Sequence, residues 1–193
     1  TLRAERRPAA GCNVVARTGA DPHRRIVLFA HIDAKAGTPG ALDNAAGVTT
    51  LLLLAELMKD EPLEQGLEII ALNGEDDYSA AGEMLFLAQN QGRLADITLG
   101  INLDGLGYRR GKTAFSLYGC PTGLAEVIGG VLSAYPGLVE GESWYQSDHS
   151  LFVMNGVPAL ALTSSEFTPL WMEIAHTASD TPDLVDPARL VEA

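Results

Sequence analysis

Three short, mostly apolar runs in this sequence are each followed within a few residues by side chains that can bind a metal ion. The runs and the side chains after them are 26–30 with His31, 68–72 with Glu75 and Asp76, and 97–103 with Asp104. Apolar runs of this length are typical of strands that are buried on both faces. The pattern therefore predicts a sheet covered on both sides, with potential ligands gathered along one edge.

Segments with helical periodicity separate these runs. The apolar residues between 44 and 59 recur every three or four positions, and either Asp43 or Asn44 is a suitable N-cap for that helix. The other predicted elements are helices over 80–91 and 123–135, strands over 113–118 and 158–162, and a final helix from 187. This alternation predicts an α/β fold, a three-layer α/β/α sandwich around a mostly parallel mixed sheet. We expect one domain over 1–193, with 1–12 as an irregular N-terminal segment.

In open α/β sheets, ligands bind beyond the carboxyl ends of the strands. His176 follows a fourth predicted strand after a loop, so this edge gathers two imidazoles and several carboxylates. Each residue also has an ordinary explanation, such as a helix cap for Asp43 or a turn for Asp104. Their joint occurrence favours two zinc ions that share one bridging carboxylate. Asp33 lies two positions after His31, where its carboxylate is expected to accept the second ring N–H of that histidine.

The charge of the chain argues against nucleic acid and membrane partners. Lys and Arg number 13 against 25 Asp and Glu, for a net charge of −12, and the 7 basic and 23 acidic side chains after residue 25 leave −16. Such a body repels phosphates and anionic lipids but attracts metal ions and cationic substrate groups. No apolar stretch reaches the ~18 residues of a membrane span. We therefore expect a soluble protein, cytoplasmic or secreted with its signal removed, and the oligomeric state stays open.

The two cysteines, Cys12 and Cys120, are 108 positions apart, a spacing that makes neither a disulfide framework nor a zinc knuckle. A chain of 193 residues can bury a substantial core without disulfides or a structural metal. Two free buried thiols are therefore expected, with a disulfide between them as the open alternative.

Polar motifs recur at wide intervals along nearly the whole chain. They lie in the stretches Asn13-Val-Val, VLFAHIDAKAGTPGALDNAAGV (27–48), ALNGEDDYSAAGE (71–83), INLDGLG (101–107), SDHSLFVMNGVPAL (147–160) and HTASDTPDLVD (176–186). In this order they resemble the co-catalytic dizinc aminopeptidases of the bacterial leucyl-aminopeptidase type, metallopeptidase family twenty-eight. The resemblance implies the zinc-dependent exopeptidase fold, shortened here before residue 13, so that an apolar flank would be exposed.

The resemblance implies two zinc ions per chain and a ligand role for five residues. His31 and Asp104 would bind one zinc, Asp76 and His176 would bind the other, and Asp43 would bridge the two. The resemblance further implies that the substrates would be peptides with a free N-terminus.

The resemblance also implies roles for residues around the ions. The catalytic residues would be Glu75, as the general base, and Asp33, which would support His31. Asp180 would help to order the loop of His176, and Asp148 would be a structural acid behind the site. The substrate side chain would occupy an apolar pocket. Its walls would be Trp144, Tyr145 and Trp171, whereas Phe167, Leu170 and Met172 are better suited to the core.

Two alternatives remain open at this stage. The pair Glu75-Asp76 differs from the Glu-Glu usual in the family, and Asp76-Asp77 could fill the same two roles one position later. Two other functions also occur on this fold, a glutaminyl cyclase-like acyl transferase with a single zinc and a binding module without metal. All five ligand positions hold capable donors, which favours the two-zinc enzyme.

Overall fold

The computed structural model describes residues 10–77 and 79–193. Within them, seven strands form one mixed sheet. The strands are β1 (Val14–Thr18), β2 (Asp21–His31), β3 (Gln65–Leu72), β4 (Ile97–Leu103), β5 (Thr113–Tyr118), β6 (Leu138–Glu140) and β7 (Ala159–Ser164). Their order is β1–β3–β2–β4–β7–β5–β6. The central strands β3, β2, β4 and β7 are parallel, whereas β1 and β5 run antiparallel to their central neighbours.

Helices cover both faces of this sheet. They are α1 (Ala46–Met58), α2 (Ala81–Gln89), α3 (Thr122–Leu132), α4 (His149–Met154), α5 (Phe167–Pro169) and α6 (Pro187–Glu192). Two wide π-type turns, Ala41–Ala45 and Leu170–Ile174, precede α1 and follow α5, and single 3₁₀ turns lie at Leu94–Asp96 and Pro182–Leu184. One core packs α2 and α4 on the sheet, and the other packs α1, α3 and α6 on the opposite face. The predicted three-layer architecture is confirmed.

Strand β2 shows why the apolar runs end up in the centre. Val27 and Phe29 lie in the core on one face, while Leu28 and Ala30 lie in the core on the other. Successive side chains of a strand point to opposite faces, so a continuous apolar run is buried on both sides. Each side chain of this kind that is fully buried contributes about 1.5–3 kcal/mol.

The predicted strands and helices are confirmed, with changed boundaries at most ends. The edge strands β1 and β6 were not predicted, because neither contains an apolar run that is buried. Of the two proposed helix caps, Asn44 fills the role, since its Oδ1 accepts the Gly47 N–H at 3.1 Å. Both cysteines are free, but Cys12 is exposed, so the expectation of two buried thiols was wrong for that residue. Most of the predicted irregular segment 1–12 lies outside the described residues.

One helical stretch, Ala41–Met58, is long and apolar enough by length and composition to cross a membrane, contrary to the expectation from the sequence. The stretch reaches this length only because the turn Ala41–Ala45 continues directly into α1. Its residues Ala46 and Leu51 are buried, and Leu51 lies in the core beneath the sheet. The stretch therefore fits the core helix of a soluble domain. The outer face of α1 exposes Leu52 and Leu57 by 67% and 70%.

Candidate metal centre

The five residues expected to bind metal converge at the carboxyl edge of the parallel strands. His31 ends β2, Asp76 and Asp104 follow β3 and β4, Asp43 lies in the turn before α1, and His176 lies in the loop after α5. Their ligand atoms form two groups, each with all atoms within 4.8 Å of one another. One group is His31, Asp43 and Asp104, and the other is Asp43, Asp76 and His176. Asp43 therefore stands between the two groups.

The carboxylate of Asp43 faces one histidine with each oxygen. Its Oδ1 lies 3.1 Å from His31 Nε2, and its Oδ2 lies 3.1 Å from His176 Nε2. Asp104 Oδ1 is 3.6 Å from the same nitrogen of His31, and Asp76 Oδ1 is 2.8 Å from that of His176. A carboxylate in this position can bridge two cations.

The hydrogen-bonding state of these atoms tests whether cations fit between them. Within the described residues, the buried ligand atoms without a hydrogen bond are His31 Nε2, Asp104 Oδ1 and both carboxylate oxygens of Asp43 and of Asp76. Each buried polar atom left unpaired costs about 1–3 kcal/mol. Imidazole nitrogen and carboxylate oxygen are donors that zinc accepts. The arrangement therefore fits two divalent ions better than a hydrogen-bonded core.

The two groups differ in exposure. The side chain of His31 is fully buried, whereas 35% of the His176 side chain is exposed. His176 has a φ of 61°, a left-handed conformation that is uncommon for a residue other than glycine. Burial raises the pKa of Asp43 and of Asp76, and repulsion between carboxylates adds to it. Burial lowers the pKa of His31, but Asp104 and Asp43 outweigh it and leave that pKa well above its usual value.

The expectation that the Asp33 carboxylate would accept a ring N–H of His31 was wrong. The partner of His31 Nδ1 is the backbone carbonyl oxygen of Asp33 at 3.0 Å, and the carboxylate is 3.9 Å away. The carboxylate instead accepts the backbone N–H groups of Gly74 at 2.8 Å and Asp77 at 3.2 Å. These N–H groups bracket Glu75 and Asp76, so Asp33 fixes the loop that carries them.

Glu75 lies in this loop at the same edge. Burial raises its pKa to about 8, and the carboxylates of Asp104 and Asp76 add to the effect, while His31 opposes it. Gly74, directly before it, has a φ of 107°, which only glycine adopts without strain. Glu75 is thus a half-buried acid whose surroundings favour its protonated form.

Asp180 holds the segment that contains Asp43. Its Oδ1 accepts the Leu42 N–H at 2.7 Å, and its Oδ2 accepts the Asp43 N–H at 3.1 Å. Burial raises the pKa of Asp180, while these backbone donors lower it. Because Asp180 follows His176 by four positions, it ties the loop of His176 to the turn of Asp43.

Glycine at position 47 allows α1 to begin close to the end of β4. A Cβ atom there would lie 2.4 Å from the carbonyl oxygen of Leu103. The same oxygen accepts a hydrogen bond from Asn44 Nδ2 at 2.8 Å. Asn44 follows Asp43 through a cis peptide bond, and Leu103 precedes Asp104. The close packing at Gly47 therefore brings the carboxylates of Asp43 and Asp104 near each other.

A buried polar network supports Asp104 from behind, and the sequence reading did not identify it. Ser147 Oγ donates to Asp104 Oδ2 at 2.7 Å, and Asn102 Nδ2 donates to Ser147 Oγ at 2.8 Å. Asn102 also lies 3.1 Å from His149 Nδ1, while His149 Nε2 reaches the carbonyl oxygen of Trp144 at 2.7 Å. Burial lowers the pKa of His149, which favours the neutral ring. The one sequence signal for this network was Asn102, a polar residue in the otherwise mostly apolar run 97–103.

Asp148 is fully buried behind the site, and neither of its carboxylate oxygens has a hydrogen bond among the described residues. Glu83 of α2 lies beside it and is 9% exposed. Burial raises the pKa of Asp148 well above its usual value; His31 opposes this, and Glu83 adds to it. Glu83 was not predicted from the sequence.

The three aromatic residues predicted to line a substrate pocket have different positions. Trp144 is only 4% exposed and packs in the core, and it is also one of the residues that line a cavity at the end of β7. Tyr145 is 60% exposed and packs edge-on against Tyr118. Trp171 packs partly against the core, with its ring 6.1 Å from that of His176. Of the three, Trp171 is the one in contact with the ring of an expected metal ligand.

Comparison with known proteins identifies a family of similar sequences. The profile of peptidase family M28 matches residues 13–193. A probable leucine aminopeptidase 2 from Aspergillus fumigatus is 26% identical over 160 residues, which cover 76% of this chain and 32% of the fungal protein. The chain thus spans about a third of the length of the curated relatives it first matches.

Solved structures share the same fold. A zinc aminopeptidase from Bacillus subtilis superposes with a TM-score of 0.75 at 21% identity, over 93% of this chain and 46% of that one. The glutaminyl cyclase of Bacteroides thetaiotaomicron superposes with a TM-score of 0.73 at 23% identity, over 93% of this chain and 73% of that one. At these identities the likeness shows the fold alone.

Proposed function

The chain belongs to peptidase family M28, and from this premise we propose that it is a metal-dependent aminopeptidase that removes the first residue of peptides with a free N-terminus. The observation that carries the proposal is the pair of donor groups that share Asp43, together with their buried ligand atoms that make no hydrogen bond among the described residues. The net charge of −12 supports it as well, because a free N-terminal ammonium group is attracted to an acidic protein.

We assign two zinc ions to the centre. His31 and Asp104 would hold one ion, Asp76 and His176 would hold the other, and Asp43 would contribute to both. Zinc commonly takes four such ligands, so each ion would keep a position for water or substrate. Bound there, the ions supply Lewis-acid activation of water and of the scissile carbonyl group.

Glu75 acts as the general base in this proposal. It takes a proton from the attacking water and passes that proton to the leaving amine. Burial raises the pKa of Glu75 above that of a free glutamate, and a catalytic base works best when its pKa lies near the operating pH. Asp33 is a positioning residue, because it binds the backbone on both sides of Glu75 and Asp76.

Metal content tests the bridging assignment. We expect Asp43→Ala to lose both ions and His176→Ala to lose mainly one, as measured by elemental mass spectrometry on the purified, zinc-equilibrated protein. Asp77→Asn is the matched control, because that carboxylate is exposed in the same loop, and it should keep two ions. Full occupancy in Asp43→Ala would remove the basis of the proposal.

Kinetics test the assignment of the base. Glu75→Gln should bind metal normally, change KM little, and lose at least ~10²-fold in kcat, the lower limit for a positioned base. Asp76→Asn should weaken one zinc, so that excess metal partly restores its activity. If Asp77→Asn loses zinc while Asp76→Asn keeps it and is inactive, the roles belong to Asp76 and Asp77 instead.

A glutaminyl cyclase-like transferase is the second candidate, supported by the fold shared with the Bacteroides cyclase over most of that chain. It would use one zinc ion, whereas a binding module without activity would use none. The complete second donor group, with His176 Nε2 only 2.8 Å from Asp76 Oδ1, favours two ions. A measured content of two, one or no zinc per chain separates the three functions.

A further inference from the structure

The two carboxylate oxygens of Asp104 have different surroundings. Ser147 Oγ donates to Oδ2 at 2.7 Å, whereas Oδ1 makes no hydrogen bond among the described residues and lies 3.6 Å from His31 Nε2. The serine therefore leaves Oδ1 as the oxygen available to an ion held together with His31. A hydroxyl group has a single proton, so Ser147 keeps Oδ2 occupied only while it does not donate elsewhere.

The other neighbour of Ser147 Oγ is the side-chain amide of Asn102, whose nitrogen lies 2.8 Å away. With its nitrogen towards the hydroxyl, Asn102 donates, and the Ser147 proton points to Asp104. With the amide turned over, its oxygen would accept that proton instead and leave Asp104 Oδ2 without a donor. Asn102 Oδ1 has no partner among the described residues, so nothing on the oxygen side of the amide fixes its orientation.

His149 fixes the orientation of this amide. Its Nε2 lies 2.7 Å from the carbonyl oxygen of Trp144, an atom that can only accept, so Nε2 carries the proton. In a neutral ring the other nitrogen then has to accept, and this Nδ1 lies 3.1 Å from Asn102 Nδ2. Burial lowers the pKa of His149, which keeps the ring neutral. Asn102 therefore presents its N–H groups to both His149 and Ser147.

The carbonyl group of Trp144, at the start of this chain of hydrogen bonds, is itself held by the fold. The Tyr118 hydroxyl donates to the same oxygen at 2.6 Å and accepts the Trp144 N–H at 2.7 Å. His149 is fully buried, and its ring lies 4.7 Å from those of Trp144 and Tyr118. Because the imidazole is shielded from solvent, water cannot replace the carbonyl group as the partner of Nε2.

We propose that His149 is a positioning residue for the metal centre. By directing the hydrogen bonds of Asn102 and Ser147, it leaves Asp104 with Oδ1 alone for the ion that it would share with His31. The inference rests on the proposed metal centre and adds that one ion depends on a distant tautomer. The chain of hydrogen bonds reaches Asp104 and, among the described residues, no ligand of the other ion. His149 should therefore affect one ion only.

Two substitutions of His149 separate positioning from packing, because both remove the imidazole but keep different atoms. His149→Asn retains an acceptor oxygen near the place of Nδ1, whereas His149→Gln retains a donor near the place of Nε2. We expect His149→Gln to weaken zinc binding about tenfold, the size usual for an outer partner of a metal ligand, and His149→Asn to keep most of the affinity. Phe152→Leu, a core substitution in the same helix, should leave the zinc affinity unchanged.

Competition with a zinc chelator measures the effect for each ion separately. In His176→Ala the remaining ion is mainly that of His31 and Asp104, and in His31→Ala it is mainly that of Asp76 and His176. Adding His149→Gln should weaken zinc binding about tenfold in the first background and less than about twofold in the second. Equal weakening in both backgrounds, or none in the first, would overturn the inference. No zinc binding in the unchanged protein would overturn the proposed function together with it.

Nitrogen NMR of the zinc-loaded protein with isotope-labelled histidine tests the tautomer without a substitution at His149. The chain has four histidines, and spectra of His31→Ala, His176→Ala and His23→Gln assign the other three. Two-bond nitrogen–proton spectra should show His149 with its proton on Nε2 and with an unprotonated, hydrogen-bonded Nδ1. A proton on Nδ1, or on both nitrogens, would overturn the inference even if no variant of His149 folds.

Discussion

The two ends of the central strands hold buried negative charge in opposite ways. Near the amino end of β2 and β3, the Glu68 carboxylate is 1% exposed and lies 2.7 Å from Arg25 and 2.6 Å from Arg17. At the carboxyl end, the side-chain partners of the three buried aspartates are, among the described residues, imidazoles and one serine hydroxyl. One end is neutralised by the protein itself, and the other keeps an excess of negative charge.

This difference separates a structural charge from a functional one. A buried carboxylate that serves only the fold needs a permanent counter-charge, because desolvation of a lone charge is costly. A metal-binding carboxylate has to stay free of guanidinium groups so that it can bind a cation. Substitutions at the two ends should therefore change stability in opposite directions, and metal should matter at only one of them.

The largest effect is expected at the amino end. Arg25→Met should lower the free energy of unfolding by about 3–5 kcal/mol, because it leaves Glu68 buried with half of its counter-charge removed. Arg25 is 5% exposed and also donates to Asn90 Oδ1 at 3.0 Å. Urea denaturation at fixed metal content measures the loss.

Arg17→Met is the matched control, since Arg17 binds the other oxygen of the same carboxylate but its side chain is 64% exposed. It should cost no more than about 1 kcal/mol. If the two variants lose the same amount, burial does not distinguish the arginines, and the comparison fails at this end.

The next effect is expected at the carboxyl end, from removal of metal. Zinc that binds only the folded chain should add about 3–4 kcal/mol to the unfolding free energy when its free concentration is ~10²–10³ times Kd. Thermal unfolding with zinc and with a chelator measures this difference. Arg25→Met should show the same increment as the unchanged protein, because distant sites contribute independently. An identical melting temperature with and without verified zinc would contradict the proposed centre.

A smaller effect of opposite sign is expected for Asp43→Asn in the chelated protein. The pKa of Asp43 is raised in the folded state, chiefly by burial. Its contribution to stability is therefore full below the unfolded pKa and is lost as the pH rises through the folded pKa. At pH 8 the variant should be more stable by about 0.5–2 kcal/mol, and near pH 4 the gain should vanish. A loss of stability at pH 8 would show that the charge at this end is structural.

The positions of the expected ligands could be predicted from the sequence because they follow directly from chain order. A residue directly after a buried parallel strand has to lie at the carboxyl edge, so His31 and Asp104 were placed by the strands alone. His176 and Asp43 come from loops: the fourth predicted strand placed His176 at the same edge, whereas the bridging role of Asp43 was implied by the motif resemblance. The edge strand β1 was missed, since its pairing with β3 is a long-range contact without a periodic signal.

Side-chain pairing could not be predicted from spacing. The i, i+2 spacing of His31 and Asp33 brought the two residues together, but the loop after β3 supplied better backbone donors for the carboxylate. The burial of Trp144 could not be predicted either, because nothing in its neighbourhood in the sequence shows that Tyr118 holds its backbone in the core. The Tyr118 hydroxyl accepts the Trp144 N–H at 2.7 Å and donates to its carbonyl oxygen at 2.6 Å. Contacts of this kind depend on the assembled sheet.

The smallest effect concerns Asp148, which belongs to neither end by its contacts. It is fully buried beside another acid, Glu83, with no arginine or lysine bound to it among the described residues. Its pKa in the folded state is raised well above the usual value, mainly by burial. The same sign then applies as for Asp43, so the carboxyl group stabilises most at low pH and loses that contribution as the pH rises.

Asp148→Asn keeps the shape of the protonated acid and removes the titration. In the chelated protein we expect no more than about 1 kcal/mol of added stability at pH 8, the net size of one hydrogen bond, and no gain near pH 4. Zinc should reduce the gain, because nearby cations favour the ionised carboxylate. Glu83→Gln should act in the same direction, since it removes the neighbouring charge. A large loss of stability at every pH, as expected for Arg25→Met, would instead place Asp148 with Glu68 among the charges that the fold itself requires.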